Sequence, residues 1–330
     1  MNKRPLGSNG PLVSEIGLGT WSFAGSYGPT DEAESHATLK TCLDLGIDFL
    51  DTANVYGMGI SESVIASFMQ NNPGEFTIAT KGGIARDPET NRRYFRNDYD
   101  YLAEQLDKSL KRLNVDHVPL YYVHKREEDR DIEEVMDGMA RLQKSGKIGH
   151  IGLCEVSPAT LRRAHAVAPV AAVQSEYSLW TRYPDLGVIQ TCKDLGIAFV
   201  PFSPLGRGIF ASNAPDPSTF VKGDFRIGTT RFSEPAYAYN LKQVEGFKRL
   251  AAEMGTTAPT LAIAWCLGRG EHLLPIPGTR SSEHLIECAN ASDLKLTESD
   301  MAAIEQVLPV GWAWGDRYMP AQQPGAERYC

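Results

Sequence analysis

The sequence predicts an α/β chain, a single (β/α)8 TIM barrel spanning residues 1–330 with a β-hairpin at its N-terminus. Three observations carry this expectation. Eight short, apolar, β-branched runs recur along the chain without clean alternation, as strands covered on both faces do. Segments with helical spacing of apolar residues separate most of them. No composition break or linker divides the middle of the chain. An open doubly wound sheet is the competing arrangement of the same elements.

Residues 3–14 read as the hairpin, with Ser8-Asn9-Gly10 supplying its turn. Strands are expected at 15–18, 48–50, 76–80, 118–123, 148–153, 170–174, 198–202 and 273–276. Helices are expected at 33–45, 101–113, 132–144, 158–167, 186–195 and 241–254. Thr30-Asp31 and Ser157-Pro158 have the chemistry of helix starts, and Gly46, Gly146, Gly196 and Gly255 that of helix stops. Two segments fall outside the repeat. Residues 206–240 form a long Gly/Ser/Pro-rich loop after the seventh strand, and 309–330 form a C-terminal loop rich in Trp, Gly, Pro and Tyr. Loops this long in a barrel belong to the ligand-binding face more often than not.

Bulk properties narrow the function. The chain is 42% hydrophobic and 22% charged, as in a soluble protein with a sizeable core. A formal charge of -8 argues against nucleic acid or an anionic membrane as the main partner. No run approaches the roughly 20 apolar residues that cross a bilayer, and residues 1–10 lack the apolar core of a signal peptide. The six cysteines, at 42, 154, 192, 266, 288 and 330, contain no Cys-x-x-Cys pair, so they suggest neither zinc nor a disulfide framework. Free thiols point to the cytoplasm, and Cys330 reads as an exposed thiol. The sequence assigns no oligomeric state.

Polar residues follow the strands in succession. Strand two ends in Asp51, strand three in Lys81, strand four in His124, strand five in Cys154-Glu155, strand six in Gln174-Ser175 and strand seven in Phe202-Ser203. A barrel gathers all of them at one mouth. Polar groups there are costly to bury unless they pair, so their convergence marks a site. Taken singly, each has a plainer reading as a loop cap, a surface ion pair or a satisfied core histidine. Asp, Lys and His at three consecutive strand ends reverse that balance.

These residues carry a resemblance. Gly46-Ile-Asp-Phe-Leu-Asp51-Thr-Ala-Asn-Val-Tyr56-Gly57, followed by Ser61-Glu62, resembles the signature of the aldo-keto reductase family. Ala79-Thr-Lys81 and Tyr122-Val-His124 resemble its next two motifs. The likeness runs from the hairpin and Gly17-Leu-Gly-Thr-Trp21 to about Asn290, nearly the whole predicted barrel. It implies an NAD(P)(H)-dependent oxidoreductase acting on a small carbonyl or alcohol substrate. Tyr56 is then the general acid/base, Lys81 the ammonium that lowers its pKa, Asp51 the partner of Lys81, and His124 the residue that orients the substrate oxygen. Trp21 and Arg86 are expected to meet the substrate beside Tyr56 and His124, with Met58, Tyr94, Trp312 and Trp314 as further candidate walls. A regulatory NADP(H)-binding subunit with little turnover is the alternative that the resemblance allows.

No Gly-x-Gly-x-x-Gly fingerprint follows the first strand; Gly17-x-Gly19 is too short. Barrel enzymes instead build phosphate sites after strands seven and eight. Here those loops are Ser203-Pro204-Leu205-Gly206-Arg207-Gly208 and Gly278-Thr279-Arg280-Ser281, the second expected at a helix N-terminus, which favours an anion. The resemblance adds Gly19, Thr20, Trp21 and Asp51 near the first two strands. It places Phe202 against the nicotinamide, Gln174 on its carboxamide and Glu287 at adenine. The chain departs from the common pattern in three places. Cys154-Glu155 replaces a Ser-Asn pair, Glu287-Cys288 replaces Glu-Asn, and Gly278 and His284 stand where many members carry a Lys and an Arg. Arg280 is left to bind a 2′-phosphate, so NADP(H) is the expected cofactor and NAD(H) the other candidate.

Overall fold

The computed structural model describes residues 1–87, 89–90 and 92–328; Cys330 lies outside the described residues. Two antiparallel strands open the chain, β1 (Lys3–Pro5) and β2 (Leu12–Ser14), so the expected hairpin is present. Seven parallel strands then form one sheet: β3 (Leu18–Gly19), β4 (Phe49–Asp51), β5 (Thr77–Gly82), β8 (Val118–Val123), β9 (Ile148–Cys154), β10 (Val170–Glu176) and β11 (Ala198–Phe202). Their spatial order follows the chain, each strand beside the next. A second small hairpin, β6 (Ile84–Arg86) with β7 (Arg93–Phe95), stands above β5 and was not expected from the sequence.

Residues 273–278 close the ring. They form single bridges, Leu273 to Phe199, Ile276 to Phe202 and Gly278 to Gly19, in place of the full strand expected at 273–276. Proline is the reason. Leu274 and Ile276 donate to the Phe199 and Pro201 carbonyls at 2.9 and 3.0 Å. Toward the first strand, Pro275 and Pro277 have no N–H, and only their carbonyls serve, accepting from Gly17 and Gly19 at 3.0 and 3.1 Å. The barrel is therefore nearly closed, with a thin seam. Glu15, Ile16 and Gly17, expected in the first strand, precede it.

The helices pack outside the strands: α1 (Glu32–Leu45), α2 (Ile60–Met69), α3 (Tyr99–Leu113), α4 (Ile132–Lys144), α5 (Pro158–Val167), α6 (Val188–Leu195), α7 (Ala236–Glu253), α8 (Ala258–Gly268), α9 (Ser282–Ala289) and α10 (Glu298–Val307). Their starts follow local chemistry. Asp31, Asp98, Ser157, Thr257, Ser281 and Thr297 each accept a backbone N–H from their own helix's first turn. On α3, Leu102, Leu106, Leu110 and Leu113 form the stripe buried against the sheet. α7 begins at Ala236, so the expected 206–240 loop ends five residues early.

Inside the barrel a separate core joins Phe49, Ala79, Leu120, Tyr122, Cys154, Ala172, Val200, Leu274 and Ile276 to Leu6 and Val13 of the hairpin. The hairpin thus plugs the N-terminal end. Buried Arg4 seals it, donating to Glu15 at 2.9 Å and to the carbonyls of Gly270 and Leu273 at 2.9 and 3.1 Å. The opposite end holds the predicted site. Among the described residues no helix is long and apolar enough to cross a membrane, and no group of side chains is arranged to hold a metal ion.

Candidate active site

The C-terminal ends of the strands surround a cavity of about 660 Å³. Asp51 ends β4, Lys81 is the penultimate residue of β5, and His124 follows β8. Tyr56 comes from the loop after β4, where a tight turn precedes α2. Gly57 and Gly59 there have φ of 59° and 101°, and a Cβ on Gly59 would meet the Arg112 side chain at 2.4 Å. The neighbouring Ser61-Glu62 is scaffold. Ser61 donates to Thr20 on one side and accepts from Thr52 on the other, while Glu62 holds Thr80 and Arg112.

Lys81 is fully buried beneath this mouth, with three N–H groups and three acceptors. One is the Asp51 carboxylate, one the Thr52 carbonyl at 2.8 Å, and one the Tyr56 hydroxyl at 3.2 Å. Gln174 donates to the other Asp51 oxygen at 2.7 Å. Burial pulls the Lys81 pKa down, but the Asp51 carboxylate outweighs it, so the group is raised and stays an ammonium. Tyr56 goes the opposite way from the sequence expectation of a lowered pKa. Burial pushes its phenol up to about 12, with Lys81 opposing that shift without cancelling it. His124 packs edge-on to Tyr56, with ring centroids 5.8 Å apart. Burial first, and then the positive charges of Lys81, Lys125 and Arg93, hold it well below its ordinary pKa, so it is neutral at pH 7. Its Nδ1 is buried without a hydrogen-bond partner among the described residues.

The expected cofactor residues converge on the same cavity. Gly19, Thr20, Trp21, Cys154, Glu155, Gln174, Phe202, Ser203, Pro204, Leu205, Arg207 and Gly208 line it, as do Gly278, Thr279, Arg280, Ser281, His284, Glu287 and Cys288. Gly206 does not; it is buried under the loop, where a Cβ would meet Trp180 and Ile209 at 2.9 Å. Ser203 and Arg207 hold positive φ, which folds the loop after β11 into a tight cradle, where Gly206 and Gly208 donate to the Ser203 and Leu205 carbonyls. Ser281 caps α9, so Thr279 and Arg280 sit at its N-terminus. Several expected cofactor contacts are engaged within the chain. Glu155 accepts from the two terminal guanidinium nitrogens of Arg317 at 3.1 and 2.6 Å, and Glu287 accepts from Ser212 at 2.7 Å. Arg280 pairs with Glu34 at 3.2 Å.

Trp21 and Arg86 line the cavity as expected, but four other candidate walls do not. Met58 is 69% exposed and Tyr94 45% exposed. Trp312 packs near-parallel to Trp180 and donates to the Leu179 carbonyl at 2.7 Å, and Trp314 stacks on Tyr239. In their place the structure supplies Tyr27, Glu34, Arg93, Lys125, Phe225, Arg226 and Tyr318. Phe225 reaches back from the long loop to Trp21, edge-on at 4.8 Å, while its N–H donates to Ser26 at 3.1 Å. The loop therefore arches over one side of the mouth.

Comparison with known proteins agrees with this geometry. Residues 15–309 match the model of the aldo/keto reductase family. The chain is 36% identical to the aldo-keto reductase yakc of Schizosaccharomyces pombe, whose name carries NADP(+), over 96% of this chain and 94% of that one. It is 37% identical to a probable aldo-keto reductase 1 of Glycine max, over 95% and 90%. Among solved structures it superposes on a glycerol dehydrogenase from Gluconobacter oxydans with a TM-score of 0.84 at 24% identity, covering 93% of this chain and 94% of that one. An aldo-keto reductase from Bacillus halodurans in its holo form gives 0.78 at 22%, covering 95% and 98%.

Proposed function

This chain belongs to the aldo/keto reductase family, a family of oxidoreductases, and on that premise we propose that it interconverts a carbonyl and its alcohol with NADP(H). The carbonyl is that of an aldehyde, ketone or sugar, and Tyr56 is the general acid/base. The observation that carries the reading is the Lys81 ammonium, whose three acceptors are Asp51, the Thr52 carbonyl and the Tyr56 hydroxyl at 3.2 Å.

NADPH, held by the loops at 203–208 and 278–281, would supply the hydride that the carbonyl carbon receives. Tyr56 holds its proton at neutral pH, ready to give it to the carbonyl oxygen as negative charge develops there. The phenolate left behind lies beside Lys81, which stabilises it and lowers the barrier. Asp51, fixed by Gln174, keeps the ammonium aimed at Tyr56. The neutral His124 ring, edge-on to Tyr56, hydrogen-bonds the same oxygen and fixes the carbonyl between the two rings.

NADP(H) fits the rest of the cavity. The cradle at 203–208 and the α9 N-terminus offer backbone N–H groups to the phosphates. Arg280 is the cation at the 2′-phosphate, released from Glu34 on binding. The relative named for NADP(+) supports that choice. A screen of aldehydes, ketones and alcohols with NADPH or NADP(+) tests the reading. Turnover that falls by roughly a thousandfold in Tyr56→Phe, with NADPH binding retained, is expected. Full activity in that variant rejects Tyr56 as the acid.

A further inference from the structure

The cation side of this mouth has more charge than its carboxylates can pair. Glu155 and Glu176 are both buried there. Glu155 is taken by Arg317 through both oxygens, and its Oε1 also accepts the Glu176 N–H at 2.9 Å. Glu176 accepts from Arg207 at 2.9 Å and from Thr181 at 3.0 Å. Lys125, the residue after His124, is only 8% exposed. Its ammonium has three N–H groups and makes one long contact, at 3.4 Å, to the Glu155 oxygen that Arg317 already holds. The Tyr318 ring lies 5.3 Å from it. Arg93 adds a second cation. It stands opposite Arg86 across the β6–β7 hairpin, with its guanidinium 5.7 Å from the Phe95 ring, and among the described residues no carboxylate pairs with it.

Both cations line the cavity that contains Tyr56 and His124, and the charge of each reaches the His124 ring. A buried, half-paired ammonium and a half-buried guanidinium without a carboxylate are costly unless something negative joins them. The cofactor's phosphates are not that partner. Their cradle follows β11 and the 273–278 segment, whereas Lys125 follows β8, on the far side of the ring. We propose that Arg93 and Lys125 form an anion subsite beside Tyr56 and His124, so that the preferred carbonyl substrates carry an oxyanion, a carboxylate or a phosphate. The planar guanidinium gives a two-point hydrogen bond to such a group and the ammonium a point charge, while neutral His124 stays free to donate to the carbonyl.

This substrate class rests on the reductase reading, and one experiment separates the two. The purified full chain with NADPH is assayed on 4-carboxybenzaldehyde, 4-formylphenyl phosphate and methyl 4-formylbenzoate, which share a ring and aldehyde and differ in charge. We expect kcat/KM for at least one anion to exceed that for the ester by about tenfold or more. The better anion identifies the group. The ratio falls toward one in Arg93→Gln and in Lys125→Met, chiefly through KM, and recovers in part in Arg93→Lys. An ester as good as both anions in the wild type, or an unchanged ratio in both neutral variants, overturns the subsite. If no carbonyl is turned over, the reductase reading fails by itself. Calorimetry with 4-carboxybenzyl alcohol and its methyl ester then decides the subsite: binding of the acid alone supports it, and binding of neither or of both equally overturns it.

Discussion

Tyr56 and His124 both carry the opposite of a neutral-pH switch. Burial holds the phenol at about 12, and burial with three nearby cations holds the imidazole well below its ordinary value. On the proposed mechanism, reduction needs the protonated phenol and oxidation needs the phenolate. With saturating cofactor, kcat/KM for reduction should therefore be flat from about pH 6 to about pH 9, with no inflection from His124, while the oxidation rate climbs with pH across that range. A reductive optimum set by a group titrating near neutrality would contradict it. Arg280 gives a second residue-scale expectation. Arg280→Ala should raise the KM for NADPH by tenfold or more, about the value of one charge-assisted contact, and leave that for NADH nearly unchanged. Equal losses for both cofactors would place the 2′-phosphate elsewhere.

At the scale of elements, the tail after α10 is held by ion pairs that its own composition did not announce. Arg317 binds Glu155 through both nitrogens, and Glu327 accepts from Arg126 and from the Ser157 N–H at the start of α5. Burial raises the Glu155 pKa, but Arg317 and Lys125 outweigh it and bring the carboxyl down to about 2 from an ordinary 4.5. A depressed carboxyl stabilises the fold above its unfolded pKa and loses that contribution as pH falls toward its folded one. The tail should therefore loosen below about pH 4.5. Arg317→Met should cost about 3–5 kcal/mol by leaving Glu155 buried and under-paired. Hydrogen exchange across 312–328 and the denaturation midpoint report both effects; a tail as protected as in the wild type would remove the anchor. The sequence did not reveal this partnership because Glu155 and Arg317 lie 162 residues apart. What it did reveal was local. The strands and the first-turn caps are written in short windows, and Asp51, Lys81 and His124 are placed by strand ends alone. α8 went unseen because nearly every one of its residues is buried, which erases the one-sided pattern that betrays a surface helix. Arg93 went unseen because its hairpin lies in a charged stretch with no apolar alternation.

For the whole molecule, the two ends of the barrel divide stability from chemistry. Leu6 and Val13 belong to the inner core, and Arg4 closes over it. Leu6→Ala should cost about 2–5 kcal/mol in denaturant unfolding with little change in kcat/KM, as expected for a cavity far from the mouth. A loss of activity larger than the loss of stability would tie the plug to the site. The hairpin has one more consequence. With the N-terminal end plugged, the cavity opens at the opposite end of the barrel, where on the proposed function cofactor and substrate share one mouth. The long loop arches over one side of that mouth, from Phe225 to Trp21. On the proposed function, whichever ligand lies beneath the arch should enter first and leave last, so the order of traffic follows from the wall each ligand stands against.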